Sequence, residues 1–163
     1  MQDSKRITLT VNGSRLVTEA AAHHTLLEVL RRSGHVEVKC GCEKGDCGAC
    51  AVLLDGEAVD ACLTLAWVAD GSTVQTVKGI GTPEKPHPLQ TAFIEEGSVQ
   101  CGYCIPGVIV AAKALLDSNP DPSEADIRVA LSGNLCRCTG YTRIFTAIQK
   151  AAREMREGGN GHG

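Results

Sequence analysis

Gly41-Cys42-Glu43-Lys44-Gly45-Asp46-Cys47-Gly48-Ala49-Cys50 is the stretch on which the reading of this chain turns. Its three cysteines are separated by four and then two residues, and Cys62 follows downstream. Gly41, Gly45 and Gly48 let the backbone take left-handed turns and bring amides close to the sulfurs. Further along stand Cys101-Gly102-Tyr103-Cys104 and, after 31 intervening residues, Cys136-Arg137-Cys138. Eight of the nine cysteines therefore sort into two sets of four, and Cys40 is left over as a packed or half-exposed thiol.

Four thiolates from a tight loop plus a more distant residue are what a [2Fe–2S] cluster needs. The C-x4-C-x2-C…C spacing is the plant-type ferredoxin pattern. An anionic cluster also asks for backbone N–H groups aimed at its sulfurs, which a glycine-rich loop can supply. Cys47-Gly-Ala-Cys50 alone could be a redox pair, but no thioredoxin-like βαβ context surrounds it. It also lacks the following histidine that c-type haem attachment needs. Zinc is the competing metal. Zinc sites usually use two C-x2-C pairs, and the four-residue gap between Cys42 and Cys47 departs from that. Cys136-x-Cys138 is too tight for a relaxed disulfide between its members, whereas two sulfurs per iron of a dinuclear cluster suit it. The predicted metal ligands are thus Cys42, Cys47, Cys50 and Cys62 in one set, and Cys101, Cys104, Cys136 and Cys138 in the other.

The patterning around these sets predicts an α+β protein in two parts. Residues 6–11 alternate apolar and polar, Asn12-Gly13 turns, and 14–18 return as a hairpin. Thr25 caps a short helix carrying Leu26, Leu27, Val29 and Leu30. Asp55-Gly56 joins strands 51–54 and 57–61 by a type I′ turn, and a last strand is expected at 73–77. This order suits a β-grasp domain over 1–78. Three prolines and two glycines in residues 79–88 mark a connection. Four helices are expected after it: 89–96 ending at Gly97, one opened by Pro106, one capped by Ser123, and one over 143–156. They make up a helical domain over 79–157, with each cysteine pair of the second set at helix ends. Residues 158–163, rich in glycine, read as a disordered tail.

Composition narrows the function classes. A net charge of −3 argues against nucleic acid or an anionic membrane as partner, and 3% aromatic residues leave no base-stacking platform. The start of the chain runs straight into a strand rather than a signal peptide, and no run of 18 apolar residues exists to span a membrane. A cytoplasmic setting is expected, where grouped cysteines are metal ligands more often than disulfides. The five histidines show no ligand spacing and read as surface residues.

The strings Gln100-Cys-Gly-Tyr-Cys-Ile-Pro-Gly107 and Gly133-Asn-Leu-Cys-Arg-Cys-Thr-Gly-Tyr141, with Gly41–Cys50, closely resemble the iron–sulfur subunit of the molybdenum hydroxylases, the xanthine dehydrogenase family. The resemblance covers the chain from the first strand to about residue 152. It implies a ferredoxin-like β-grasp domain followed by a four-helix-bundle domain, with one [2Fe–2S] cluster in each. It places Gln100 in contact with a molybdopterin, of the cytosine dinucleotide type, on a partner, and it places Cys138 beside that pterin. Read from the residues alone, Gln100 could instead cap a helix or bond a backbone group. Ile105 departs from the family string, where Thr is common. Tyr103 and Tyr141 read as packing around the cluster.

The resemblance implies an oxidoreductase subunit. It would pass electrons singly from a molybdenum centre on a large subunit, through its two clusters, to FAD on a medium subunit or to another acceptor, in a heterotrimer. Substrate chemistry would sit on the partner, because the chain has no Gly-x-Gly-x-x-Gly, P-loop or nucleophile–base pair. Val36-Glu-Val-Lys39 and Asp60-Ala-Cys-Leu63 lean toward subunits of purine or other N-heteroaromatic hydroxylases; aldehyde and carbon monoxide dehydrogenases are the alternatives within the family. Outside it stand a free two-cluster electron carrier and a zinc-organised module.

Overall fold

The computed structural model of the chain describes residues 3–159. β1 (Ser4–Val11) and β2 (Ser14–Ala21) form an antiparallel hairpin, in register from Ser4 opposite Ala21 to Val11 opposite Ser14. Asn12 and Gly13 turn it with φ of 50° and 81°, which these two residue types tolerate. α1 (Leu26–Arg32) begins at Thr25, where the Thr25 hydroxyl and the Glu28 carboxylate cap each other's backbone amides. The cysteine loop leads into β3 (Ala51–Leu54) and β4 (Glu57–Asp60), and Asp55 and Gly56 between them have φ of 51° and 94°. β5 (Thr73–Gln75) completes a mixed sheet of order β2-β1-β5-β3-β4, with β5 parallel to β1 and antiparallel to β3.

The strand expected at 73–77 stops at Gln75. Thr76 is buried and caps α2 (Val77–Ile80), accepting from Lys78 N–H at 3.3 Å. Asn12 holds it there, donating to its hydroxyl at 2.9 Å and accepting from its N–H at 2.8 Å. The expected connection over 79–88 is thus shortened at both ends, by α2 and by α3 (Pro88–Glu95). α4 (Ile105–Ser118), α5 (Glu124–Ala130) and α6 (Thr142–Gly159) follow. Residues 158 and 159, read as the start of a disordered tail, continue α6; the remainder of that tail, 160–163, lies outside the described residues.

Two apolar cores result, and β3 serves both. Val52 is buried with Leu9, Leu26, Leu30 and Val74 beneath the sheet. The next residue, Leu53, is buried in the helical core with Phe93, Val108, Ile109, Ile127, Ile144 and Ile148. Successive side chains on a strand point to opposite faces, so one strand can anchor α1 on one side of the sheet and α4 on the other. The close approach of α4 depends on Gly107: a Cβ there would stand 2.1 Å from the Gly48 carbonyl oxygen. This contact brings the first cysteine loop against the helix that carries the second cysteine set.

Candidate metal centres

Each cysteine set is assembled from a loop and an element end, and in each the thiols stand in pairs. In the first set Cys42 lies beside Cys47, and Cys50 lies beside Cys62. In the second, Cys138 Sγ and Cys101 Sγ are 3.5 Å apart, and Cys104 lies beside Cys136. Among the predicted ligands the structure thus sets Cys42 beside Cys47, Cys50 beside Cys62, Cys101 beside Cys138 and Cys104 beside Cys136. Among the described residues no three His, Cys, Asp or Glu side chains converge on a single ion position. Paired thiols suit a dinuclear cluster with two sulfurs on each iron.

The loop geometry accounts for the residue types. Glu43, Gly45 and Gly48 have φ of 55°, 80° and 64°. These turns direct the N–H groups of Lys44 and Asp46 onto Cys42 Sγ at 3.4 and 3.3 Å. Those donors, Lys44 first, hold the Cys42 thiol down at about 7, where the thiolate is readily formed. Burial pushes Cys50 and Cys104 up to about 12, so metal binding at these two must release protons. At Cys136 burial pulls upward, but the Thr139 hydroxyl, 3.1 Å away, and nearby N–H groups outweigh it and lower the thiol. Backbone donors aimed at a thiolate are the donor set an anionic iron–sulfur cluster requires, and the residues present fit that group.

Exposure differs along the row. Cys50 and Cys62 are buried, Cys42, Cys47, Cys104 and Cys136 are half-buried, and Cys101 and Cys138 are exposed. Gln100 is exposed beside Cys101 and caps no helix. Arg137 is exposed between two cysteines. Cys40 is half-buried against the sheet core and donates from Sγ to Glu43 Oε1 at 2.8 Å, which raises its thiol.

Residue patterns missed several polar roles. Tyr141 does more than pack: its hydroxyl accepts from Cys136 N–H at 2.8 Å and donates to the Asn134 carbonyl at 3.1 Å. Tyr103 reaches across to donate to the Cys40 carbonyl. Asn134 is buried and donates to the Gly48 carbonyl at 3.1 Å. The sequence signal for these was the string around each cysteine set, which names the residues but not the atoms they meet. His87 was read as a surface residue; it is half-buried, caps α3 by accepting from Leu89 N–H at 3.2 Å, and has its pKa lowered by burial and by Lys113. His162 lies outside the described residues.

Comparison with known proteins agrees with this geometry. Residues 9–76 match the family described as a 2Fe-2S iron-sulfur cluster binding domain, and residues 76–149 match a [2Fe-2S] binding domain. The nicotinate dehydrogenase small FeS subunit of Eubacterium barkeri is 49% identical over 146 residues, covering 89% of this chain and 93% of that one. The chain belongs to the iron–sulfur subunits of the molybdenum hydroxylase, or xanthine dehydrogenase, family. Its place as an electron-transfer subunit of an oxidoreductase, with two [2Fe–2S]-binding domains, follows from that membership. The solved structure of quinoline 2-oxidoreductase from Pseudomonas putida 86 superposes on this iron–sulfur subunit with a TM-score of 0.90 at 40% identity, covering 97% of this chain and 99% of that one. Aldehyde oxidoreductase of Megalodesulfovibrio gigas is 49% identical over 148 residues, which are 88% of this chain but 16% of that one. In that relative the iron–sulfur subunit corresponds to one part of a much longer polypeptide.

Proposed function

We propose that this subunit carries electrons one at a time between a molybdopterin on a large partner subunit and FAD on a medium subunit, as the smallest member of a heterotrimer. Cys42, Cys47, Cys50 and Cys62 hold one [2Fe–2S] cluster in a β-grasp domain over 1–78. Cys101, Cys104, Cys136 and Cys138 hold the other in a four-helix bundle of α3 to α6 over 79–157. When bound, each cluster supplies a one-electron carrier. The side-by-side thiols Cys42/Cys47, Cys50/Cys62, Cys101/Cys138 and Cys104/Cys136, with two backbone N–H groups on Cys42, are the observation that carries the reading. The thiolates bind iron, the N–H groups favour the charged form, and burial of Cys50 and Cys62 keeps water from that side.

Exposure supports a direction for the row. Cys101, Cys138 and Gln100 form an open edge, and the pterin, as a cytosine dinucleotide, docks there with the Gln100 carboxamide as a hydrogen-bonding partner. No helix among the described residues is long and apolar enough to cross a membrane; the proposed setting is the cytoplasm. Gln100→Ala should keep both clusters, as read by EPR, and slow their reduction by substrate through the partner. A reduction rate equal to wild type would remove Gln100 from the pterin contact.

An N-heteroaromatic ring, purine or pyridine-like, is the proposed substrate class of the assembled enzyme. Relatives named for nicotinate, nicotine and xanthine, at 42–49% identity, support it. Aldehydes are the second reading, favoured by the 49% identity to an aldehyde oxidoreductase. Turnover of the purified complex with xanthine, nicotinate and benzaldehyde separates the two. Oxidation of benzaldehyde alone would replace the first reading by the second.

A further inference from the structure

The two cysteine loops are fastened directly to each other. Cys47 and Gly48, consecutive in the first loop, present their carbonyls to the second. Leu135 N–H donates to the Cys47 carbonyl at 3.0 Å, and Asn134 Nδ2 donates to the Gly48 carbonyl at 3.1 Å. Leu135 immediately precedes Cys136, so one hydrogen bond joins a predicted ligand of one cluster to the neighbour of a predicted ligand of the other. The Tyr103 hydroxyl adds a third tie, to Cys40.

Asn134 is the side chain at the centre of this junction. It is 6% exposed, although asparagine is mostly a surface residue. Its own N–H donates to the Leu131 carbonyl at 2.9 Å, and its carbonyl accepts from Tyr141 OH, which in turn accepts from Cys136 N–H. Gly48 gives it room: a Cβ there would stand 2.5 Å from Asn134 Nδ2 and 2.5 Å from the Gly133 carbonyl oxygen. The carboxamide touches no cysteine sulfur by hydrogen bond, so its reach is across the junction rather than into either quartet.

We propose that Asn134 is a positioning residue that fixes the spacing of the two cluster loops and so sets the coupling between the clusters. This rests on reading both quartets as [2Fe–2S] ligands. Electron passage between them changes no bond and moves no proton: one cluster loses an electron and the other gains it. What the protein contributes is a constant separation, and a buried hydrogen bond between two loops holds that better than apolar contact, because sliding would leave a buried polar group unpaired.

The test uses Asn134→Asp, which keeps the shape but loses the donor, and Asn134→Ala. The assembled complex is fully reduced with dithionite, and EPR records both cluster signals and their mutual magnetic splitting. Hydrogen exchange at the Leu135 amide is followed in parallel. Both variants should retain both signals, lose much of the splitting, and exchange the Leu135 amide faster than wild type. Unchanged splitting and unchanged protection overturn the proposal while leaving the cluster reading intact. Loss of a cluster signal in both variants overturns it in favour of a plain structural role. Absence of both signals from the wild-type protein would overturn the cluster reading itself.

Discussion

Cys42 and Glu37 show what single residues contribute. Cys42 sits under two N–H donors in a loop built from left-handed turns. Cys42→Ser should abolish one of the two EPR signals and spare the other, because the second quartet draws on other elements. Loss of both signals together would contradict two independent sites. Glu37 is 8% exposed, and burial pulls its carboxyl upward. Hydrogen bonds from Thr76 and His35, its own backbone amide and the Lys78 ammonium 3.3 Å from Oε2 outweigh that and hold it below the ordinary range. Its contribution to stability is therefore complete above the ordinary glutamate range and is lost as pH falls through the lowered value. Glu37→Gln should be less stable than wild type in urea at neutral pH, and the gap should close on acidification. A gap that stays constant with pH would show that the charge is not what matters.

At the scale of elements, much of the path was readable because local chemistry dictates it. Asp55-Gly56 requires positive φ at both positions of its turn, and both angles are observed. Thr25 with Glu28, and Ser123 with Asp126, form the reciprocal caps their spacing announces. Thr25→Ala should cost about 1 kcal/mol, read as a fall in Tm of roughly 2–4 °C; no fall would mean that packing of Leu26 and Leu30 alone fixes α1. The end of β5 was misplaced because a tertiary partner, Asn12, converts Thr76 from strand residue to helix cap. The tail was misjudged in part because glycine content at 158 and 159 argues against helix, yet both continue α6. The junction between the cysteine loops was not readable at all: its acceptors are backbone carbonyls, which every residue carries.

The whole molecule joins two cores through β3 and through the seam between Gly48 and Gly107. Gly107→Ala would drive a methyl group into a backbone carbonyl, and overpacking of this kind costs about 1–3 kcal/mol. Thermal unfolding of the cluster-loaded protein should report that loss, and wild-type stability would show that the seam can open without penalty. The spacing of the eight grouped cysteines is written in sequence. Which thiols pair, and how the two loops are tied, needed the fold. The central claim is that these two quartets hold two [2Fe–2S] clusters. Quantifying metal and acid-labile sulfide in the purified protein tests it most directly. The account predicts about four irons and about four sulfides per chain. Zinc in place of iron, with no labile sulfide, would contradict it.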